Sequence, residues 1–123
     1  MKKVLVVDDS ATMRRMIIAS LTGLGEVAFE QAVSGLEAIE LLTISSMDLV
    51  MLDLNMPDVH GLEVLRFIRS QHSMRDLPVI VLTTRGDDDS RSAAIRAGAT
   101  LYLTKPFQPA VIASQVQPLL HAT

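Results

Sequence analysis

The sequence predicts an α/β fold, a (βα)5 doubly wound parallel sheet in which a helix follows each strand. Three observations predict it. Five short apolar runs alternate with longer segments of helical character. Three of those runs are continuously apolar, as strands covered on both faces must be. Residues that carry chemistry stand immediately after four of the runs rather than being scattered along the chain.

The first run is Val4-Leu5-Val6-Val7, and Met13, Met16 and Ile17 follow it at helical spacing. The second, Val27 to Ala32, is interrupted by Glu30 and Gln31 and suits an edge strand. Ser34-Gly35-Leu36-Glu37 then has the form of a capping box, in which a hydroxyl and a carboxylate each satisfy a backbone donor at a helix start. The third run, Leu49-Val50-Met51-Leu52, leads to a helix marked by Leu62, Leu65 and Ile68, ahead of Ser70. The fourth, Val79-Ile80-Val81-Leu82, follows Pro78. Asp87-Asp88-Asp89 places acids where the dipole of a fourth helix favours them, and Gly98 suits the left-handed residue after that helix. The fifth run, Leu101-Tyr102-Leu103, suits the other edge. Pro109 fits the first turn of a last helix, which Pro118 should limit or end.

Composition narrows the function. The chain has 123 residues, 49% of them hydrophobic, enough for one domain with a proper core and too many for disorder. We expect residues 1–123 to form a single domain, with no linker, repeat or low-complexity stretch. Cysteine is absent, which removes disulfides, thiolate catalysis and Cys-based zinc sites and fits a reducing compartment. The N-terminus lacks the pattern of a signal peptide, and no apolar run approaches the roughly 20 residues needed to span a bilayer, so we expect a cytoplasmic protein without membrane contact. A formal net charge of −3 argues against nucleic acid as a direct partner.

Val7 is followed by Asp8-Asp9, Leu52 by Asp53, Leu82 by Thr83-Thr84, and Leu103 by Thr104-Lys105. In a parallel sheet these residues share the edge beyond the carboxyl ends of the strands, where open α/β sheets bind ligands. Taken singly, each has an ordinary reading. Asp8-Asp9 with Ser10 reads as a helix cap, Asp53 as a turn acid, Thr83 as a hydroxyl satisfying backbone, and Lys105 as a surface lysine. Together they place three carboxylates at one rim. Two unit charges about 4 Å apart repel by roughly 4 kcal/mol at an effective dielectric near 20. A hard divalent cation relieves this, and Mg2+ suits a few carboxylates, several waters and a phosphate.

With these residues placed, the chain resembles a receiver domain of the two-component response regulators, of the CheY type. The resemblance is carried by Val6-Val7-Asp8-Asp9-Ser10, Met13-Arg14-Arg15, Asp48 through Pro57, Gly61-Leu62-Glu63, Gly98-Ala99 and Lys105-Pro106-Phe107. It implies the strand order 2-1-3-4-5 of flavodoxin and CheY, for which CheY is itself a standard illustration. It also implies roles. Asp53 is similar to the phosphorylated aspartate, and Asp8, Asp9 and Asp53, with the carbonyl of Asn55, match the Mg2+ set. Lys105 matches the lysine that contacts the phosphoryl group, and Lys105-Pro106 a peptide bond that is typically cis. Thr83 and Tyr102 match the switch pair, the hydroxyl turning toward the phosphoryl group and the aromatic ring rotating inward. Arg85 and Asn55 occupy positions tied to the rate of dephosphorylation. His60 replaces a frequent acid, and Thr84 replaces a smaller residue that would leave the site more open.

The resemblance further implies a stand-alone switch that accepts a phosphoryl group from a histidine kinase, CheA-like, and signals by protein contact. The target it suggests is a flagellar-motor switch in chemotaxis, and it leaves room for a phosphatase partner. A phosphorelay intermediate or phosphate sink is the alternative within the family. Two other classes fit the rim less well. A haloacid-dehalogenase-type phosphatase carries a second Asp two residues beyond its nucleophile, where this chain has Asn55. A flavin binder needs a glycine- or hydroxyl-rich phosphate loop where this chain has Asp8-Asp9.

Overall fold

The computed structural model describes residues 1–121. Its elements run β1 (Lys2–Val7), α1 (Ala11–Leu21), β2 (Val27–Ala32), α2 (Gly35–Ile44), β3 (Leu49–Leu52), α3 (Gly61–Ser70), β4 (Val79–Thr83), α4 (Asp88–Ala97), β5 (Leu101–Thr104) and α5 (Pro109–Leu120). The strands form one parallel sheet in the order β2-β1-β3-β4-β5. This is the expected fold class and strand order. No helix among the described residues is long and apolar enough to cross a membrane.

Strand alternation sorts the core into two layers. Val4 and Val6 of β1, Met51 of β3 and Ile80 and Leu82 of β4 pack with Ile17 and Leu21 of α1 and Ile112 and Val116 of α5. Leu5, Val7, Val50, Leu52 and Val79 face the other way, onto Ala38 of α2 and Val64, Leu65 and Ile68 of α3. Ala94 of α4 joins Leu54, Val81 and Tyr102 in a smaller cluster. Because α1 and α3 lie on opposite faces, the loops leaving the paired strands β1 and β3 diverge. The crevice between them is the switch point of a doubly wound sheet.

Helix starts follow the sequence closely. Ser10 caps α1 through the N–H of Met13, Ser34 caps α2 through that of Glu37, and Asp87 caps α4 through that of Ser90. Glu37 returns a bond to the N–H of Val33, one position before the cap. Gly98 ends α4 in the left-handed region with φ of 111°. One expectation needs correction. Pro118 does not end the last helix but lies within it, and α5 continues to Leu120. Buried Leu120, packed on β-sheet residues, holds the final turn past the donor that proline lacks.

Two caps carry a pH signature. Backbone N–H donors hold the Asp58 and Asp87 carboxyls below the ordinary carboxylate range, Leu36 chiefly in the first case and Ser90 in the second. A depressed folded value means that the contribution is full above the unfolded value of about 3.9 and is lost as pH falls through the lower folded value. Asp58→Asn and Asp87→Asn are therefore expected to lose less stability than the parent between neutral pH and about pH 3, as read by denaturant melts. Equal losses would remove the caps from the account of acid stability.

Candidate functional site

At the carboxyl end of the sheet, Val7 and Leu52 are register partners on β1 and β3, so the residues that follow them emerge side by side. Asp8 follows Val7, and its N–H bonds Ala32 of β2 at 3.1 Å. Asp53 follows Leu52, and its N–H bonds Val7 at 3.0 Å. Thr83 ends β4 opposite Thr104, and the N–H of Lys105 bonds the Thr83 carbonyl at 2.8 Å. Four strands thus deliver the expected residues to one place, and the Lys105–Pro106 bond beside them is cis.

Asp8 is buried and fully engaged. One carboxylate oxygen accepts the N–H of Ser10 at 2.9 Å, and the other accepts from Lys105 Nζ at 2.7 Å. The same ammonium lies 3.7 Å from Asp53 Oδ2. Asp53 Oδ1 accepts the N–H of Asn55 at 3.2 Å. Asp9 is exposed, and one oxygen each from Asp8, Asp9 and Asp53 lie within 4.8 Å of one another.

Burial pushes the Asp53 carboxyl above the ordinary carboxylate value. Lys105 and the Asn55 N–H pull against burial, while the charges of Asp8 and Asp9 add to it. One ammonium does not offset three acids at this range. Three converging carboxylates are hard oxygen donors of the kind that Mg2+ takes while keeping waters, so the donor set fits that ion. Asn55, a residue that follows Asp53 by two, belongs to the same loop.

Thr83 is buried, and its Oγ1 accepts from Asn55 Nδ2 at 3.3 Å and from the Arg85 N–H at 3.5 Å. Tyr102 is only 5% exposed, and its hydroxyl donates to the Arg85 carbonyl. Its ring therefore occupies the inward position that the sequence reading assigned to the activated domain. Arg91 lies 5.9 Å from the ring centroid, within range of a cation–π contact. Thr84 and His60 are exposed, and His60 caps α3 through Nδ1, which accepts the Leu62 N–H at 3.1 Å. That is the task an acid performs elsewhere at helix starts.

Sequence reasoning gave no role to Arg14 or Asp58. Arg14 Nη1 donates to the Asp8 carbonyl at 2.6 Å, and its Nε donates to Gln31 on β2 at 2.9 Å, bracing the acidic loop from behind. Asp58 binds the start of α2. The Arg14–Gln31 bond and the two Asp58 bonds join distant stretches, and no local pattern announces them.

Comparisons with known proteins identify the family and the fold. Residues 4–117 match the family described as the response regulator receiver domain. A chemotaxis protein CheY homolog of Campylobacter jejuni is 40% identical over 119 residues, covering 96% of this chain and 92% of that protein. Chemotaxis protein CheY1 of Helicobacter pylori is 38% identical, covering 96% of each. Among solved structures, Vibrio cholerae CheY4 superposes with a TM-score of 0.88 at 33% identity, covering 97% of this chain and 98% of that one.

Proposed function

This chain belongs to the response regulator receiver domain family, and on that premise we propose that Asp53 is its phosphoryl acceptor and that its signalling serves chemotaxis. Receiver domains are phosphorylation-activated switches of two-component signalling that bind Mg2+ at an acidic pocket and work with histidine kinases and downstream targets. The observation that carries the assignment to Asp53 is its surroundings: a buried carboxylate beyond the end of β3, 3.7 Å from Lys105 Nζ and clustered with Asp8 and Asp9. The reading takes residues 1–123 as one receiver domain, supported by a match over 4–117 and a single sheet.

The chemistry follows from the residues. An Asp53 oxygen forms a bond to the phosphorus of a kinase phosphohistidine, and the P–N bond breaks. Its electron pair stays on the imidazole, which takes up a proton. Phosphoryl transfer has a loose transition state, so positioning and neutralisation of the phosphoryl oxygens supply most of the rate. Lys105 is placed to pair with one such oxygen. Asp8, Asp9, Asp53 and the carbonyl of Asn55 would hold Mg2+, which when bound neutralises charge on the transferring group. Thr83 exchanges its Asn55 contact for the phosphoryl group, and Tyr102, tied to the carbonyl of Arg85, reports that change to the α4–β5 surface. Catalysis is confined to the domain's own phosphorylation and dephosphorylation.

The names of the relatives support chemotaxis. We read the phosphodonor as a CheA-like kinase and the target as a flagellar-motor switch in the cytoplasm. Incubation with a phosphorylated chemotaxis kinase, followed by peptide mass spectrometry, is expected to place the added phosphoryl mass on Asp53. Label on another residue would overturn the assignment. Capture of the motor switch by the phosphorylated form alone is expected in the same preparation, and indifference of that target would overturn the chemotaxis reading.

A further inference from the structure

Asp58 lies outside the acidic cluster, yet its carboxylate is fully used by backbone. Oδ1 accepts the N–H of Gly35 at 3.1 Å and Oδ2 that of Leu36 at 3.0 Å. These are the first two residues of α2, and a helix leaves its first four N–H groups without internal partners. Ser34 satisfies a third, its hydroxyl taking Glu37 N–H at 3.1 Å, while its carbonyl takes Ala38 N–H at 3.1 Å as the first bond of the helix itself. Half of the start of α2 is thus capped from the β3–α3 loop.

Packing fastens the same loop independently. A Cβ on Gly35 would stand 2.5 Å from the Val59 carbonyl oxygen and 2.8 Å from Val59 Cβ, so the helix start and the loop are in closest approach. At the loop's far end, Gly61 N–H bonds the Leu54 carbonyl at 3.0 Å, and a Cβ there would stand 2.6 Å from the Asp53 carbonyl oxygen. The loop that carries Asp53 and Asn55 is therefore held at Gly61 from behind and at Asp58-Val59 from α2.

We propose that Asp58 is a positioning residue of the acceptor site: by capping α2 from the neighbouring loop, it fixes the backbone that presents Asp53 and Asn55. The proposal rests on the site reading given above. It differs from simple capping in what it changes. A cap alone raises the melting temperature and leaves cation affinity untouched. A positioning residue sets the affinity of a cluster whose carboxylates must converge to within a few ångströms.

The test uses Mg2+ itself as the probe, titrated into the purified protein and followed by amide NMR shifts, with no phosphodonor present. Asp58→Ala is expected to weaken Mg2+ binding about fivefold, less than the ~10–100-fold that follows loss of a partner bonded directly to a metal ligand. Asp58→Asn keeps an acceptor oxygen and is expected to recover part of the loss. Gly35→Ala, which pushes Val59 aside, is expected to weaken binding in the same direction. Glu40→Gln removes an equal charge from the exposed face of α2 and is expected to bind as the parent does. With a small acyl phosphate as donor, the Asp58→Ala rate at saturating Mg2+ should stay within about twofold of the parent while its half-saturating Mg2+ rises. A lowered melting temperature with parental Mg2+ affinity would overturn the proposal, as would an equal weakening in Glu40→Gln. A parent that took up neither Mg2+ nor phosphoryl groups would overturn the site reading first and this proposal with it.

Discussion

Asp53→Asn is expected to abolish phosphoryl uptake and, in the absence of metal, to raise the melting temperature. The first effect comes from the nucleophile. An amide oxygen carries no charge to attack phosphorus, and the acyl phosphate cannot form, so labelling should fall by at least about 10³-fold. The second effect comes from the environment. Burial pushes the Asp53 carboxyl up, and Asp8 and Asp9 add to that push. The folded domain thus disfavours the ionised form. The penalty is absent where Asp53 is protonated in both states, and it grows as pH rises from the ordinary carboxylate value through the raised one. The amide removes this penalty where Asp53 would be ionised. Each kcal/mol relieved should appear as about 4 °C in a domain of this size. Thermal melts in chelator at neutral and acidic pH check the sign: the gain should shrink toward acid. A variant that melts below the parent at neutral pH would mean that Lys105 dominates the electrostatics of Asp53, and undiminished labelling would move the acceptor elsewhere.

The same physics explains what the sequence made legible. Short, wholly apolar runs between turn and helix signals suit strands covered on both faces, and the observed β3 matches its run to the residue, as β2 does its mixed edge run. The rim residues were legible because a parallel sheet carries every strand end to one side. β1 begins two residues before its apolar run because Lys2 and Lys3 pair through backbone with Val27 and Ala28, and backbone pairing leaves no mark in hydropathy. Pro118 misled because proline's lost donor matters less in a last turn whose Leu120 is buried. The supports of the site were hidden for a different reason. Asp58 reaches 23 residues back to Gly35, and Arg14 reaches Gln31 across 17. Such bonds depend on how α2, β2 and the loops pack, and no spacing rule encodes that.

Lys105→Met is expected to damage both reactivity and the metal-free fold, and the two losses should respond differently to Mg2+. Lys105 Nζ is nearly buried, 2.7 Å from Asp8 and 3.7 Å from Asp53. It is the cation of the described cluster, and methionine keeps its length without its charge. Without it, Asp8 keeps only the Ser10 N–H as a partner for its carboxylate. Removing one member of a buried pair leaves an uncompensated charge, at a cost of about 3–5 kcal/mol. A divalent cation held by the three carboxylates replaces that missing charge, so added Mg2+ should restore more stability to the variant than it gives the parent. Reactivity should not return with it. The ammonium's further task is to meet a phosphoryl oxygen at a fixed place, and loss of one such preorganised donor lowers rates by about 10²–10³-fold. Saturating Mg2+ should therefore yield a Lys105→Met protein that melts close to the parent and labels slowly. Recovery of both together would reduce Lys105 to a structural counter-charge. Failure of Mg2+ to recover stability would mean that the three carboxylates do not gather the ion at all.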